Sequence, residues 1–259
     1  MLLAVKLLAA PLFIAIVSLA GRRWGPAISG ALTGLPLTSG PVSLILALQY
    51  GPQFASRAAI GGLAGEASMC SFCLVYSLAA QRCSWRISTL IAVAAFLVAT
   101  AILNSFTWSL LAAAALLLVV MALVSRLIPQ AAMTANAISL PKWDLPARMI
   151  LAALIVLALT TFASALGPQL SGLLAPFPVF GTVLAAFTHQ QQGSAAAARL
   201  LRGVVVGSLA FFSFFLVVGQ FLPDLGTALT YATAALMALV ASAVAVTLGN
   251  RPSFAGVNP

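Results

Sequence analysis

The same pattern occurs twice in this chain, at an offset of 142 residues, as between Gly25 and Gly167. The first copy reads GPAISGALTGLP from Gly25, then QYGPQFASR, then GGLAGEASMCSF. The second reads GPQLSGLLAPFP from Gly167, then QQGSAAAAR, then GVVVGSLAFFSF. In register, Gly25, Pro26, Ser29, Gly30 and Pro36 match Gly167, Pro168, Ser171, Gly172 and Pro178. Gln49, Gly51, Arg57, Gly61, Gly65 and Phe72 match Gln191, Gly193, Arg199, Gly203, Gly207 and Phe214. The register also extends towards the N-terminus, where Leu3, Lys6, Ala10 and Leu12 match Leu145, Arg148, Ala152 and Leu154. A repeat of this kind means one structural unit used twice, so the fold has to be assembled from two related halves.

The medium those halves fold in follows from charge. Of 259 residues, 63% are hydrophobic and only 6% are charged, with a mean hydropathy of +1.14. A soluble domain carries about a quarter charged residues, so this chain cannot cover a water-facing surface. It reads as an all-α integral membrane protein. Barrel strands would alternate in polarity and be about ten residues long, and no such pattern is present. Apolar runs of spanning length occupy 5–20, 27–49, 57–80, 87–104, 107–126, 147–165, 169–190, 202–222 and 226–248. The expectation is nine transmembrane helices, with no length left for a soluble domain.

Charge also sets direction. With nine spans, Lys6 and Arg57 fall on one side of the membrane. Arg22, Arg23, Arg82, Arg86, Arg126, Lys142, Arg148, Arg199, Arg202 and Arg251 fall on the other. The basic side is cytoplasmic by the positive-inside rule, which puts the N-terminus outside and the C-terminus inside, in a cell inner (plasma) membrane. Re-entrant loops at 27–49 and 169–190 would blur that asymmetry, so full spans are expected. The first apolar run is expected to be kept rather than cleaved, because Arg22 and Arg23 follow it and the repeat extends into it. The net charge of +9 lies at the ends of apolar segments without a basic stripe or aromatic platform, which argues against nucleic acid as a partner.

The organisation expected is repeat one over 1–104, a linking helix and cytoplasmic loop over 105–146, and repeat two over 147–259. Five spans separate equivalent helices, so the second copy of the four-helix repeat faces the opposite way. Two inverted-topology four-helix repeats joined by one extra helix is an arrangement many secondary transporters use, with the site at the midplane between the halves.

Two features mark that site. The second span of each repeat is interrupted by proline, at Pro36 in one and at Pro176 and Pro178 in the other. Proline inside a helix removes a hydrogen bond and costs about 3 kcal/mol, and in hydrocarbon the freed groups need partners. Thr33, Thr38 and Ser39 lie beside the first interruption and Thr182 beside the second. These residues, with Glu66, form the expected substrate-binding set. Glu66 is the acidic residue inside a span, and an intramembrane carboxyl is a functional hypothesis by default. Its repeat partner is Ser208, so the carboxyl belongs to one half alone.

A gate or coupling role is expected for Gln49, Glu66, His189 and Gln191, His189 being the single histidine. Cys70 and Cys73 share a helical face with Glu66 and Ser77. With so few companion ligands they read as interface residues and not as a metal or redox site. Gly61 with Gly65 and Gly203 with Gly207 form small-xxx-small pairs that favour close helix contact. Trp143 in the loop 127–146 reads as an interfacial anchor and Pro146 as a helix start. Asp144 belongs to the same loop, and Asp224, in an outer loop, carries no expectation beyond solvation.

The chemistry expected is transport and not catalysis. No nucleotide-binding loop or nucleophile elbow is present, and no cofactor is expected. The leading expectation is a secondary carrier for a small polar or anionic solute, proton-coupled through Glu66, with discontinuous helices two and seven lining the site. The alternatives are a channel, a translocator of lipid or lipid precursors, and a non-transporting membrane assembly factor. Expected partners are the lipid bilayer and the solute, with a second copy of the chain as an option.

Overall fold

A computed structural model of the chain describes residues 2–36, 39–129, 141, 143–158 and 178–249. All regular structure among the described residues is helical: α1 (Leu2–Trp24), α2 (Pro26–Thr33), α3 (Ser39–Tyr50), α4 (Pro52–Ala79), α5 (Trp85–Asn104), α6 (Leu110–Leu127), α7 (144–158), α8 (Val179–Gln192), α9 (Ser194–Leu225) and α10 (Thr227–Gly249). Five of these contain stretches long and apolar enough to cross a bilayer: Pro52–Ala79, Trp85–Asn104, Leu110–Leu127, Ser194–Leu225 and Thr227–Val244. Their outward faces are greasy: Leu111 is 80% exposed, Leu90 70% and Val119 65%. Water would penalise such a surface and acyl chains would not. The chain is a helical membrane protein.

Several helices begin at glycines in a conformation side chains resist. Gly51 (φ 87°) precedes α4, and its repeat partner Gly193 (also φ 87°) precedes α9. Such torsions suit glycine alone, and each lets the chain reverse and restart a helix at once. This moves boundaries that apolar runs had set elsewhere. α4 starts at Pro52 and α9 at Ser194, so Arg57, Arg199 and Arg202 are helical residues and do not flank the spans. Likewise the connection after α6 ends earlier than expected: residue 144 is already helical.

The expected span 27–49 is two helices. α2 stops at Thr33, whose Oγ1 donates back to the Ser29 carbonyl at 2.8 Å. Pro36 then supplies no N–H and disfavours helical torsions at Leu35. α3 resumes at Ser39, with the Gly40 N–H donating to the Pro36 carbonyl at 2.8 Å. The broken segment nevertheless runs on in one direction. Ala27 lies against Gly203, Ala31 against Gly207, Gly34 beside Ser208, and Gly40 against the Phe214 ring. The partner number rises with the chain, so α2 and α3 together track α9 in parallel.

α4 tracks α9 the other way. Ser56 Oγ donates to the Gly219 carbonyl at 2.7 Å, Gly62 faces Phe211 and Phe215, and Glu66 meets Ser208. As one number rises the other falls, so α4 and α9 are antiparallel. They form the centre, with α6 against both, α5 on α4 and α10 on α9. Leu63, Phe72 and Tyr76 of α4 and Leu200, Leu201 and Leu222 of α9 are fully buried there. Helix bounds recur at the repeat offset: Tyr50 and Gln192 end α3 and α8, Pro52 and Ser194 begin α4 and α9, and Trp85 and Thr227 begin α5 and α10.

α2 approaches α9 backbone to backbone. A methyl group on Gly203 would sit 2.1 Å from the Ala27 carbonyl oxygen, and one on Gly207 2.2 Å from that of Ala31. The expected small-residue contact therefore exists for this pair. Gly61, by contrast, meets nothing within 4 Å. Gly207→Ala is expected to destabilise the protein by about 1–3 kcal/mol through overpacking. Gly61→Ala should be neutral or stabilising, since alanine is the better helix former by about 1 kcal/mol. Thermal unfolding of the two variants in detergent checks the contrast.

Candidate functional site

The break between α2 and α3 is held against the middle of α9. A Cβ on Gly34 would lie 2.4 Å from the Gly207 carbonyl carbon and 2.6 Å from the Ser208 nitrogen. Ser208 in turn reaches across to α4: its hydroxyl donates to Glu66 Oε1 at 2.6 Å and also lies 3.1 Å from the Val204 carbonyl. A hydroxyl has one proton to give, and the carboxyl oxygen is the nearer of the two acceptors. The interrupted backbone, Ser208 and Glu66 thus meet at one level of the bundle.

The second interruption lies on the opposite helix of the central pair. α8 starts at Val179 after the buried Pro178, and Gly181 packs on Met69 and Phe72 of α4. Phe72 and Phe214 are repeat partners. The start of α3 therefore packs on α9 as the start of α8 packs on α4. Thr182 Oγ1 is buried there without a hydrogen-bond partner among the described residues, although its N–H donates to the Pro178 carbonyl at 2.8 Å. A buried hydroxyl with no partner is costly, and here it lies on the helix turn packed nearest Glu66's own helix.

The expected substrate-binding residues divide accordingly. Glu66, Pro36, Ser39, Pro178 and Thr182 lie on the two helix breaks and the central pair that joins them. Thr33 lies at the end of α2 with its hydroxyl committed to the backbone. Thr38 and Pro176 fall outside the described residues. Cys70 and Cys73 are buried free thiols on the Glu66 helix, and no group of three metal-ligating side chains occurs among the described residues.

The expected gate residues do not form one set. Gln49 is exposed at the end of α3. Its repeat partner Gln191 is engaged in an ionic network at the end of α8. Asp144, wholly buried, accepts from Arg148 Nε at 2.8 Å, from Gln191 Nε2 at 2.6 Å and from Arg22 Nη2 at 2.9 Å. Arg148, 4% exposed, also donates to Gln191 Oε1 at 3.2 Å. Burial alone would raise the Asp144 carboxyl, but the two guanidinium groups and the glutamine amide outweigh it and hold it below the usual carboxylate range. His189 stands apart from this network, its Nδ1 3.5 Å from the Tyr76 hydroxyl in a long contact with the rings edge to face.

The sequence reading placed Asp144 in the loop 127–146 and gave it no role, whereas it is buried at a helix start. The available signal was its spacing: Asp144 and Arg148 are four apart around Pro146, so a helix starting there puts both on one face. No protein-family model, curated protein or solved structure matches this chain.

Removing the carboxylate would leave two guanidinium groups, one of them buried, without their counter-ion. Asp144→Ala is expected to cost about 3–5 kcal/mol. Adding Arg148→Leu should recover part of that loss. Unfolding midpoints of the single and double variants test this.

Proposed function

We propose that this chain is a secondary carrier for a small polar or anionic solute. It is built as nine transmembrane spans in two inverted four-helix repeats joined by α6. The observation that carries the reading is the junction of a broken helix with an intramembrane carboxyl, where the α2–α3 break abuts Ser208 and Ser208 bonds Glu66.

Inversion is supported by direction and by contact. α4 and α9 are repeat partners and antiparallel, whereas tandem copies would align them. Glu66 and Ser208 are themselves repeat partners, separated by 142 residues. In a pseudo-two-fold assembly a residue touches its own counterpart only beside the axis, so this bond supports an axis through the middle of the central pair. The parallel course of α2 and α3 along α9 favours a crossing over a re-entrant loop. The meeting of Arg22, Asp144, Arg148 and Gln191 at one end supports their assignment to one face, which the excess of basic residues makes cytoplasmic.

Transport follows from these parts. Two equivalent halves can exchange shapes at similar energy, giving outward and inward states. The N-terminal ends of α3 and α8 carry the positive ends of helix dipoles and suit a polar or anionic group. Glu66, tied to Ser208, is the group that takes up a proton or binds the solute, and its exchange between these partners couples the two. The ionic network at the ends of α1, α7 and α8 then closes the cytoplasmic side.

In liposomes the protein should show saturable uptake of one solute in a screen of small anions and polar metabolites. Glu66→Gln should lower proton-dependent uptake at least tenfold while leaving the unfolding midpoint near that of the parent. Fast, non-saturating flux would identify a channel. Absence of flux with co-purified lipid or a stable protein partner would favour a translocator or an assembly factor.

Topology has its own test. In a Cys83→Ser background, Ser105→Cys and Asp224→Cys should react with an impermeant maleimide on intact cells. Trp143→Cys should react only after permeabilisation. The reverse pattern would overturn the orientation, and reaction of all three from one side would overturn the nine-span count.

A further inference from the structure

The ionic network borders a small cleft, and the polar side chains around it come as three matched pairs, with Gly21 and Pro26 completing the lining. Ser18 and Arg22 project from α1, Asp144 and Arg148 from α7, and Thr188 and Gln192 from α8. Each pair is spaced four residues apart, which places both members on one helical face. Three helices thus turn a polar face towards one small space at the end of an otherwise apolar bundle.

Two observations within the cleft ask for a ligand. The first is charge. Two guanidinium groups face a single carboxylate, whose oxygens already accept from Arg22, Arg148 and Gln191. Among the described residues lining the cleft one positive charge is left uncompensated, with Arg148 4% and Arg22 32% exposed. Arg148 is the buried one, and a buried guanidinium that shares its counter-ion with a second cation is costly. The second is Ser18. Its Oγ is buried and has no hydrogen-bond partner among the described residues, and the side chain lines the cleft. Other helical hydroxyls here donate to the carbonyl four residues back, as Thr33, Ser71 and Ser77 do. Ser18 does not, which leaves its proton for something in the cleft.

We propose that this cleft is an anion-binding site for a phosphate-type oxyanion, held between Arg22 and Arg148 with Ser18 donating to one of its oxygens. It is separate from the junction at Glu66. α8 joins the two places, with Thr188 seven residues beyond Gly181, or about 10 Å along the helix. Asp144 sets the geometry, orienting both guanidinium groups while leaving their sum positive. Trp24 and Trp143, 59% and 57% exposed, stand beside Arg22 and Asp144 in sequence. Exposed tryptophans of this kind favour the interfacial layer, so the cleft is within reach of both aqueous phosphate and lipid headgroups.

The test uses the full chain, delipidated in non-ionic detergent and titrated with sodium phosphate at constant ionic strength balanced by gluconate. The unfolding midpoint and the ³¹P linewidth should change saturably. Apparent affinity should fall at least tenfold in Arg22→Gln and several-fold in Ser18→Ala, which removes no charge and breaks no described bond. A parallel arm adds phosphatidylglycerol or, as the control, phosphatidylcholine. Response to free phosphate assigns a soluble anion, and response to phosphatidylglycerol alone assigns a lipid headgroup. The proposal is overturned if neither source gives a saturable response, or if Ser18→Ala and Arg22→Gln respond as the parent does. None of these readouts involves flux or Glu66, so the site stands or falls independently of the carrier reading.

Discussion

The contact between the backbones of α2 and α9 is the constraint on which the rest of the architecture depends. Lipid gives helices no hydrophobic reason to associate, so close packing of small residues has to supply the attraction. Gly203 and Gly207 supply it here by letting the α2 backbone at Ala27 and Ala31 come directly against α9. Because α2 is pinned in this way, the chain that leaves it at Gly34 is pinned too. The interruption is thereby held beside Ser208, which bonds Glu66. Moving α2 outward by the width of one methyl group would separate the break from the carboxyl.

The two halves share a scaffold and differ in chemistry. Gly51 and Gly193 have the same torsion, and Phe72 and Phe214 receive equivalent helix starts. Yet the carboxyl at Glu66 faces a hydroxyl in its counterpart, and the Asp144 and Arg148 positions correspond to Leu2 and Lys6. Gln191 is locked in an ionic network while Gln49 is exposed. Helix starts therefore recur at the repeat offset, and the polar residues that differ between the copies gather at two places: the centre and one end.

Much of the fold was legible in the sequence because lipid imposes simple rules. Long apolar runs must be helices, since every backbone group has to be satisfied within the segment, and α5, α6 and α10 began and ended close to the runs that predicted them. Boundaries were misread where a helix continued through charged residues, as in α9 at Arg199 and Arg202, because hydropathy cannot see that Gly193 restarts the helix before them. Asp144 was given no partner for a related reason. Its burial depends on Arg22, 122 residues away, and no local pattern encodes a partner at that distance.

The amino-acid sequence by itself determined that this protein lives in a membrane, that it is helical, and that a unit is used twice with proline interrupting its second span. Those properties follow from local chemistry: transfer energy, the missing proline N–H and the repeat register. Only the tertiary structure decided that the segment 27–49 is divided at Gly34–Pro36 and still runs in one direction. It alone decided that Glu66 bonds its own counterpart Ser208, and that Asp144 gathers Arg22, Arg148 and Gln191. Each of these is a contact between distant segments, whose geometry exists only once the glycine-lined faces of α2 and α9 have come together.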